Sequence, residues 1–385
     1  MAALKIGIVG MGAAGRAFLP AIEKSDDFQL VAFAEANAAA RQEAERETGA
    51  QGYADVGALV AHRDIDAIYI ATPTEQHRPH AAVAFAAGKH VLTEKPMAVS
   101  LEDAQAMVAA AEQANRILLV GHSHSYDAPI HAMRSIIDSG RLGRVRMINT
   151  MDFTDWMFRP RRVEEFDVKL GGGVTFRQGS HQFDIIRLLG GGAVRSVRAS
   201  TFDWDPRRPS IGAHTVFLTF EDGATAVAVY NGYGYFSTME LTDDITEWGF
   251  VEPLSKRPKL KREAVSEGEL AAKRSRAKTA IPAVAPYQPT FGLTVVSCER
   301  GDLRQSPGGI LLYDENGREE IILATDKTPR DLVLAEFADA ILGRKPPVHT
   351  GKWGLANLEI CLAALESSRR GQELPLHFQE PLASR

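Results

Sequence analysis

The stretch LKIGIVGMGAAG, residues 4–15, decides the fold of this chain. It opens on a short apolar run, which is typical of a buried parallel strand. The glycines that follow have the spacing Gly-x-Gly-x-x-Gly, which permits a tight turn, a close pyrophosphate and a helix packed on the strand. We therefore predict that this loop and the helix N-terminus bind a dinucleotide. The predicted cofactor contacts here are Gly10, Met11, Gly12, Ala13, Ala14 and Gly15.

A second apolar run, residues 28–34, ends in Glu35, which lies twenty positions after Gly15. An acid at this place accepts hydrogen bonds from ribose hydroxyls and repels a 2′-phosphate, so NAD is the predicted cofactor and Glu35 a predicted contact. Arg41 follows in the next predicted helix and could pair with a 2′-phosphate, so NADP stays an alternative. The alternative to a dinucleotide site is an ordinary glycine-rich turn between strand and helix.

The tripeptide Glu94-Lys95-Pro96 follows an apolar run, residues 90–93, that ends a predicted strand. A lysine at the carboxyl end of a parallel strand points toward the crevice where open α/β sheets bind ligands. Pro96 disfavours the helical region for Lys95 and so presents the lysine on a rigid turn. An ion pair between Lys95 and Glu94 is the alternative interpretation.

Composition limits the class of protein. The 385 residues are 45% hydrophobic, which suffices for a large core and predicts two domains. The net charge of -5 gives no reason to expect nucleic acid. The two cysteines form neither a disulfide framework nor a metal-ligand spacing, so we expect no metal. No apolar run has transmembrane length, and we expect a cytoplasmic protein without membrane contact.

The hydrophobic pattern predicts where the domains divide. Strands and helices alternate up to about residue 122, which predicts a doubly wound parallel sheet over residues 1–122. From 123 to 385, strands with alternating apolar positions predict an α+β domain with a large, mostly antiparallel sheet. Within it, residues 235–290 are predicted to be an insertion, partly mobile, with basic runs between 256 and 278. Interspersed acids favour a solvated segment over a nucleic-acid site, and the segment could also cover the active site or a neighbouring subunit.

Three consecutive glycines, residues 171–173, precede Arg177, Gly179 and His181. Arg177 and His181 are four residues apart, so they share one face if this segment is helical. An imidazole there can accept the proton of a substrate hydroxyl, and an arginine can hold a carboxylate in bidentate fashion. The alternative for His181 is a hydrogen-bonded histidine of the core.

Together, these motifs carry a resemblance. The glycine fingerprint, Ala71-Thr72-Pro73 with His77, Glu94-Lys95-Pro96, and the triple glycine before Gly179-x-His181-x-x-Asp184 resemble the glucose-fructose oxidoreductase/inositol dehydrogenase (Gfo/Idh/MocA) family. The resemblance implies a nicotinamide-dependent oxidoreductase that oxidises one carbon of a cyclic alcohol. It implies that Lys95 binds and polarises the reacting oxygen, that His181 is the acid/base, and that the protein is a homo-oligomer, a dimer or tetramer. It also implies further cofactor contacts at Ala71, Thr72, Pro73, His77, Glu94 and Lys95.

One departure from the family pattern bears on the substrate. Many members that act on polyols have an aspartate four residues before the histidine, where this chain has Arg177. An arginine at that place calls for an anion, and Arg159 follows Trp156 upstream. The stretch from Arg159 through the triple glycine to Gln182 resembles the phthalate cis-dihydrodiol dehydrogenase branch of the family. This resemblance implies oxidation of 4,5-dihydroxy-4,5-dihydrophthalate to the catechol. The predicted substrate contacts are Trp156, Arg159, Arg177 and Asp184.

Two alternative functions stay open on the sequence. One is a sugar or inositol dehydrogenase of the same family, which would have to bind neutral polyols beside Arg177. The other is a regulator that senses NAD without turnover, although a sensor has no need of Lys95 or His181.

Overall fold

The computed structural model describes residues 3–253, 255, 263–264, 268–269, 273 and 285–382. Of the predicted basic runs, residues 256–262 and 273–278, all residues except Lys273 lie outside the described residues. The chain divides into two compact units, each described below by itself. The first holds the residues up to His122 together with Arg330–Leu355, and the second holds most of the remainder. The structure thus differs from the predicted division at Arg330–Leu355, which we had assigned to the second domain.

Within the described residues, the first unit contains a six-stranded sheet with the order β3-β2-β1-β4-β5-β6, and all its pairs are parallel. This order confirms the predicted doubly wound sheet. The strands are β1 Leu4–Val9, β2 Phe28–Ala34, β3 Gln51–Tyr53, β4 Ala67–Ile70, β5 His90–Thr93 and β6 Leu118–Val120. The helices are α1 Ala13–Ala17, α2 Leu19–Lys24, α3 Ala38–Thr48, α4 Val56–Val60, α5 His77–Ala86 and α6 Leu101–Gln113.

The helix predicted after the glycine loop is interrupted at Phe18, and α2 begins one residue later. Pro20 lies in the first turn of α2, where its missing N–H is tolerated, but it cannot donate to a carbonyl of α1. The helix α6 begins as predicted, because the Ser100 hydroxyl accepts a hydrogen bond from the Asp103 N–H at 3.1 Å.

The second unit contains, within its described residues, a nine-stranded sheet with the order β14-β13-β12-β11-β7-β10-β9-β8-β15. Its pairs are antiparallel except for β10 with β7, so the predicted mixed architecture is confirmed. The strands are β7 Val145–Phe153, β8 Val194–Phe202, β9 Ala213–Phe220, β10 Thr225–Asn231, β11 Leu293–Cys298, β12 Gly301–Ser306, β13 Gly309–Asp314, β14 Gly317–Ile322 and β15 Leu374–Pro375. The helices that accompany it are α7 Ala128–Asp138, α8 Val174–Arg177 and α9 Gly179–Gly190.

The helix α9 lies against this sheet. The Gln182 side chain donates to the Val229 carbonyl of β10 at 3.1 Å, and a Cβ on Gly190 would lie 2.3 Å from the Phe220 ring of β9. The close approach places His181, near the start of α9, beside the sheet. Large apolar side chains of the sheet are exposed, including Met147, Phe217 and Ile322. The predicted homo-oligomer stays a prediction.

Two further helices follow the sheet, α10 Pro329–Ile341 and α11 Gly351–Arg370. Residues 330–355 belong with the first unit for physical reasons. The Phe337 ring of α10 stacks on Phe28 of β2 with centroids 5.7 Å apart, and the Val120 N–H of β6 donates to the His349 carbonyl at 2.9 Å. Among the described residues, no helix has the length and apolar character needed to cross a bilayer.

Candidate active site

The fingerprint loop has the geometry that a dinucleotide requires. Gly10 has a φ of +95°, a conformation that L side chains rarely adopt. A Cβ on Gly15 would lie 2.1 Å from the Gly10 carbonyl oxygen, so only glycine lets α1 pack this closely on the loop. A Cβ on Gly12 would meet no atom within 4 Å, which leaves space beside the backbone for a pyrophosphate. The residues present therefore fit the cofactor.

The carboxylate of Glu35 lies beside this loop at the end of β2. It accepts hydrogen bonds from the Met11 N–H at 3.1 Å and from the Asn37 N–H at 3.0 Å. The Arg41 guanidinium donates to the Glu35 carbonyl oxygen at 2.7 Å. Glu35, the predicted ribose-binding acid, and Arg41, which could instead pair with a 2′-phosphate, are thus neighbours.

Glu94 is directed toward the interior of the first unit. Its carboxylate accepts a hydrogen bond from the Tyr69 hydroxyl at 2.7 Å and lies 3.3 Å from the Lys95 N–H. Burial, together with the charge of Glu94, raises the pKa of Tyr69 well above its usual value. The carboxylate therefore fixes the end of β5, where Lys95 begins the loop that Pro96 continues.

His77 connects the loop after β4 to the loop that carries Lys95. The ring is buried, with Nδ1 3.1 Å from the Pro96 carbonyl and 3.2 Å from the Met97 carbonyl. Its Nε2 lies 3.0 Å from the Thr72 carbonyl. The side chain that we predicted as a cofactor contact thus holds the backbone on both sides of the predicted site.

In the second unit, His181 is buried on α9 at 4% exposure. Its ring meets the His124 ring edge to face, with centroids 4.6 Å apart at 78°, and lies 5.0 Å from the Phe291 ring. His124 comes from a short 3₁₀ turn, Ser123–Tyr126, that follows β6 in the chain. The predicted acid/base therefore shares an aromatic environment with a second imidazole.

Two carboxylates bind the second imidazole. His124 Nδ1 lies 3.2 Å from Asp127 Oδ2, and its Nε2 lies 3.1 Å from Glu247 Oε1. Burial alone would lower the pKa of His124, but Asp127 and Glu247 outweigh it and raise the pKa to about 9. His124 is then an imidazolium at neutral pH. His124 therefore places a positive charge beside the ring of His181.

Arg159 is held by carboxylates of its surroundings. Its Nε donates to Asp155 Oδ1 at 2.6 Å, and its Nη1 lies 3.8 Å from Glu247 Oε2. Glu247 thereby links Arg159 to His124. Nearby, burial and then the charge of Glu247 raise the pKa of Asp152 to about 7, although Arg159 and His124 oppose this.

A second group of charges, which we name the Glu165 cluster, consists of Glu165, Arg161, Arg177 and Lys273. Glu165 is 2% exposed, and its carboxylate lies 3.6 Å from Arg161, 3.4 Å from Arg177 and in contact with the Lys273 ammonium. Burial would raise the pKa of Glu165, but Arg177, Arg161 and Lys273 hold it well below its usual range. Among the described residues, three cations thus contact one buried carboxylate.

Trp156 and Asp184, the other predicted substrate contacts, are both buried. The Arg161 guanidinium lies 4.0 Å from the centre of the Trp156 ring. This cation–π contact helps to hold Arg161 in the Glu165 cluster. Asp184 is fully buried on α9. Burial lowers the pKa of Arg187 on the same helix to about 10, and the charge of Asp184 opposes this shift.

Sequence reasoning missed His124, Glu165 and Lys273. His124 lies four residues after Val120, the last residue of β6. The argument that found Lys95 at the end of a strand would therefore also have found His124. No local pattern connects Glu165 to Lys273, because they are 108 residues apart and Lys273 lies in the insertion. Among the described residues, no group of three or more His, Cys, Asp and Glu side chains is arranged to hold a metal ion.

Comparison with known families identifies both parts of the chain. Residues 4–122 match the oxidoreductase family with an NAD-binding Rossmann fold, and residues 130–241 match the GFO/IDH/MocA C-terminal domain.

Individual relatives are also similar. The 1-carboxy-3-chloro-3,4-dihydroxycyclohexa-1,5-diene dehydrogenase of Comamonas testosteroni is 37% identical over 377 residues, which cover 95% of each chain. Inositol 2-dehydrogenase of Rhizobium meliloti is 33% identical over 199 residues, 51% of this chain and 58% of that one.

Two solved structures share the fold. A protein of Bordetella bronchiseptica RB50 assigned as a dehydrogenase is 36% identical with a TM-score of 0.89, over 97% of this chain and all of that one (100%). The WlbA dehydrogenase of Bordetella pertussis, solved with NADH and UDP-GlcNAcA, has a TM-score of 0.73 at 24% identity, over 97% and 98% of the chains.

Proposed function

Because the chain belongs to the GFO/IDH/MocA family of NAD-dependent oxidoreductases, we propose that it oxidises a ring carbinol of a carboxylated cyclic cis-dihydrodiol. The observation that carries this proposal is the Glu165 cluster, with its three cations beside the predicted acid/base helix. The Comamonas relative supports it, since the name of that enzyme specifies a carboxylated dihydroxycyclohexadiene. The finer candidate is 4,5-dihydroxy-4,5-dihydrophthalate, whose product is a catechol.

Charge favours this substrate over a neutral polyol. A neutral sugar or inositol forms weaker hydrogen bonds with Arg161, Arg177 and Lys273, whereas a ring carboxylate accepts charge-assisted hydrogen bonds from them. Each such bond contributes about 1.5–3 kcal/mol, enough to lower a KM by about ten-fold or more. The family alternative, a sugar or inositol dehydrogenase, therefore fits the cluster less well. A sensor without turnover is not supported, because the matched family and the similar full-length relative are oxidoreductases.

The reaction divides between cofactor and chain. NAD, when bound, supplies the acceptor for the hydride that leaves the carbinol carbon. The hydroxyl proton passes to Lys95 or to His181, and a carbonyl forms as the C–H and O–H bonds break. The neighbouring carbinol carbon then loses its C–H proton and the carbonyl oxygen gains a proton, which converts the ketone to the catechol, and aromatisation draws the oxidation forward. The cation beside His181, His124, keeps this imidazole in the form that accepts a proton.

The test is the rate of NADH formation with phthalate cis-4,5-dihydrodiol, an uncarboxylated cyclohexadiene cis-diol, myo-inositol and glucose. We expect turnover of the carboxylated diol and little of the others. In Arg177→Met, KM for the carboxylated diol should rise by about ten-fold while kcat changes by less than about two-fold, because the lost contact binds substrate and transition state alike. Arg195→Met, on the exposed side of β8, is the control. Turnover of the polyols alone would refute the proposal.

A further inference from the structure

Two charged residues of the predicted insertion, Glu269 and Lys273, contact the candidate substrate site. Lys273 pairs with Glu165 in the Glu165 cluster. Glu269 lies four residues earlier, and its carboxylate accepts a hydrogen bond from the Arg161 N–H at 2.8 Å. The insertion thus reaches the cluster at two separate places.

Glu269 is held by a buried arginine. Both Nη atoms of Arg208 donate to the Glu269 carboxylate, at 2.6 and 2.9 Å, and Arg208 is 3% exposed. The Arg208 Nε also donates to the Glu263 carbonyl at 2.9 Å, and the guanidinium lies 5.6 Å from the centre of the Phe166 ring. A bidentate pair of this kind fixes orientation as well as distance.

We propose that Lys273 is a specificity-determining contact for the substrate carboxylate, and that the Glu269–Arg208 pair is its positioning device. This inference rests on the proposed function and names the part of the chain that recognises the anion. The inference gives Lys273 of the insertion a role, because Lys273 is the third cation of the cluster beside Arg161 and Arg177.

The exposure of the two partners supports a second anion at Lys273. The Glu165 side chain is 1% exposed, whereas that of Lys273 is 26% exposed, so part of the Lys273 side chain is open to solvent. An ammonium has three N–H donors and can hold Glu165 and a substrate carboxylate together.

The environment of Lys273 makes its contact with an anion dependent on pH. Burial lowers the pKa of Lys273 to about 8, with Glu165 opposing this and Arg161 and Arg177 adding to it. A bound carboxylate favours the ammonium form. Affinity for a carboxylate should therefore weaken as pH rises through about 8, where Lys273 loses its proton.

The experiment measures KM for phthalate cis-4,5-dihydrodiol and the inhibition constant of benzene-1,2-dicarboxylate, an unreactive probe, between pH 7 and 9. We expect Lys273→Met to raise both by about ten-fold with little change in kcat. Lys273→Arg should keep the wild-type values at pH 7 and remove their rise toward pH 9, because a guanidinium stays charged. Lys169→Met, at an exposed lysine, should behave as wild type.

A double variant separates direct contact from neutralisation of Glu165. If Lys273 serves only to balance that carboxylate, Glu165→Gln with Lys273→Met should restore the wild-type constants and overturn the inference. If it binds substrate, the double variant should keep the weak binding. Should Glu165→Gln fail to fold, the pH profile of Lys273→Arg decides alone, and a profile like that of wild type would overturn the inference.

The positioning pair has its own readout. Glu269→Gln should raise the inhibition constant in wild type by about three-fold and add nothing in the Lys273→Met background, because it acts through Lys273. Additive effects would overturn the positioning role. If the protein does not turn over the dihydrodiol but binding of the probe still depends on Lys273, only the proposed function is refuted. Normal turnover with no effect of Lys273→Met would refute this inference alone.

Discussion

His124 shows how one residue can set the chemistry of another. Its imidazole contacts Asp127 and Glu247 and meets the His181 ring at 4.6 Å between centroids. We expect His124→Gln to shift the acidic limb of the kcat/KM profile upward by about one pH unit. With the neighbouring cation gone, His181 holds its proton more easily, so a higher pH is needed to free the base.

The control for this shift is His377→Gln, at an exposed histidine of the second unit. A profile for His124→Gln that coincides with wild type would mean that His181 is not the titrating base and would point to Lys95. The same variant has a stability readout. The folded pKa of His124, about 9, lies above its usual value, so its contribution to the free energy of unfolding is present below about pH 6.5. That contribution is lost as pH rises through about 9, and the stability difference from wild type should shrink over this range.

At this scale, the sequence predicts residues that local motifs mark. Lys95 was found from its place after a strand, and His181 from its spacing to Arg177. Their proposed roles stay predictions. The partners of Arg177 were not predictable in this way, because Glu165 and Lys273 meet only through the fold and lie 108 residues apart. Charge clusters assembled from distant segments leave no periodic signal.

At the scale of elements, the strand–loop–helix unit at residues 4–17 offers a matched pair of substitutions. Gly15→Ala would place a Cβ 2.1 Å from the Gly10 carbonyl oxygen, so α1 must move and the first unit should lose stability. Gly12→Ala meets no protein atom within 4 Å and should fold normally. Its added methyl group would occupy the space expected for the pyrophosphate, so NAD affinity should fall by about ten-fold or more.

Thermal unfolding and NAD titration by fluorescence distinguish the two variants. Gly12→Ala should keep the Tm of the unliganded protein and bind NAD weakly, whereas Gly15→Ala should lower that Tm by several degrees. Equal NAD affinity for Gly12→Ala and wild type would show that the fingerprint does not approach the cofactor at this glycine.

Element boundaries followed from local chemistry where a cap or turn residue marked them. Ser100 caps the start of α6, and Gly223, with a φ of +86°, lies in the turn between β9 and β10. The interruption between α1 and α2 was missed because the apolar period continues through it, although Pro20 was a visible signal. The assignment of α10 to a unit had no local signal, since it depends on which core its apolar face meets.

At the scale of the whole molecule, the chain completes its first unit only after eight of the nine described strands of the second unit's sheet. Residues 330–355 return to the unit that holds the residues up to His122. There, Thr350 forms a bridge with Leu119 of β6, and Arg344 forms an ion pair with Asp27 at 2.5 Å. The dinucleotide-binding unit is therefore discontinuous in sequence, and its stability depends on residues far from the glycine fingerprint.

Phe337→Ala tests this dependence. Phe337 is fully buried and stacks on Phe28, the first residue of β2, so its truncation should lower the free energy of unfolding by about 3–5 kcal/mol. We expect faster hydrogen exchange in β1 and β2. NAD should restore part of the lost stability, since a ligand of the native state stabilises by about 2.7 kcal/mol at one hundred times its Kd.

The matched control is Phe220→Ala, which removes an equally buried ring from the second unit, where it packs beside Gly190 of α9. Its exchange should quicken in β9 and β10, the strands that flank this contact. Unchanged exchange in β1 and β2 of Phe337→Ala would contradict the assignment of residues 330–355 to the first unit. The expected result would mean that the cofactor site depends on a helix encoded more than three hundred residues after the fingerprint, because α10 completes the core beneath β2.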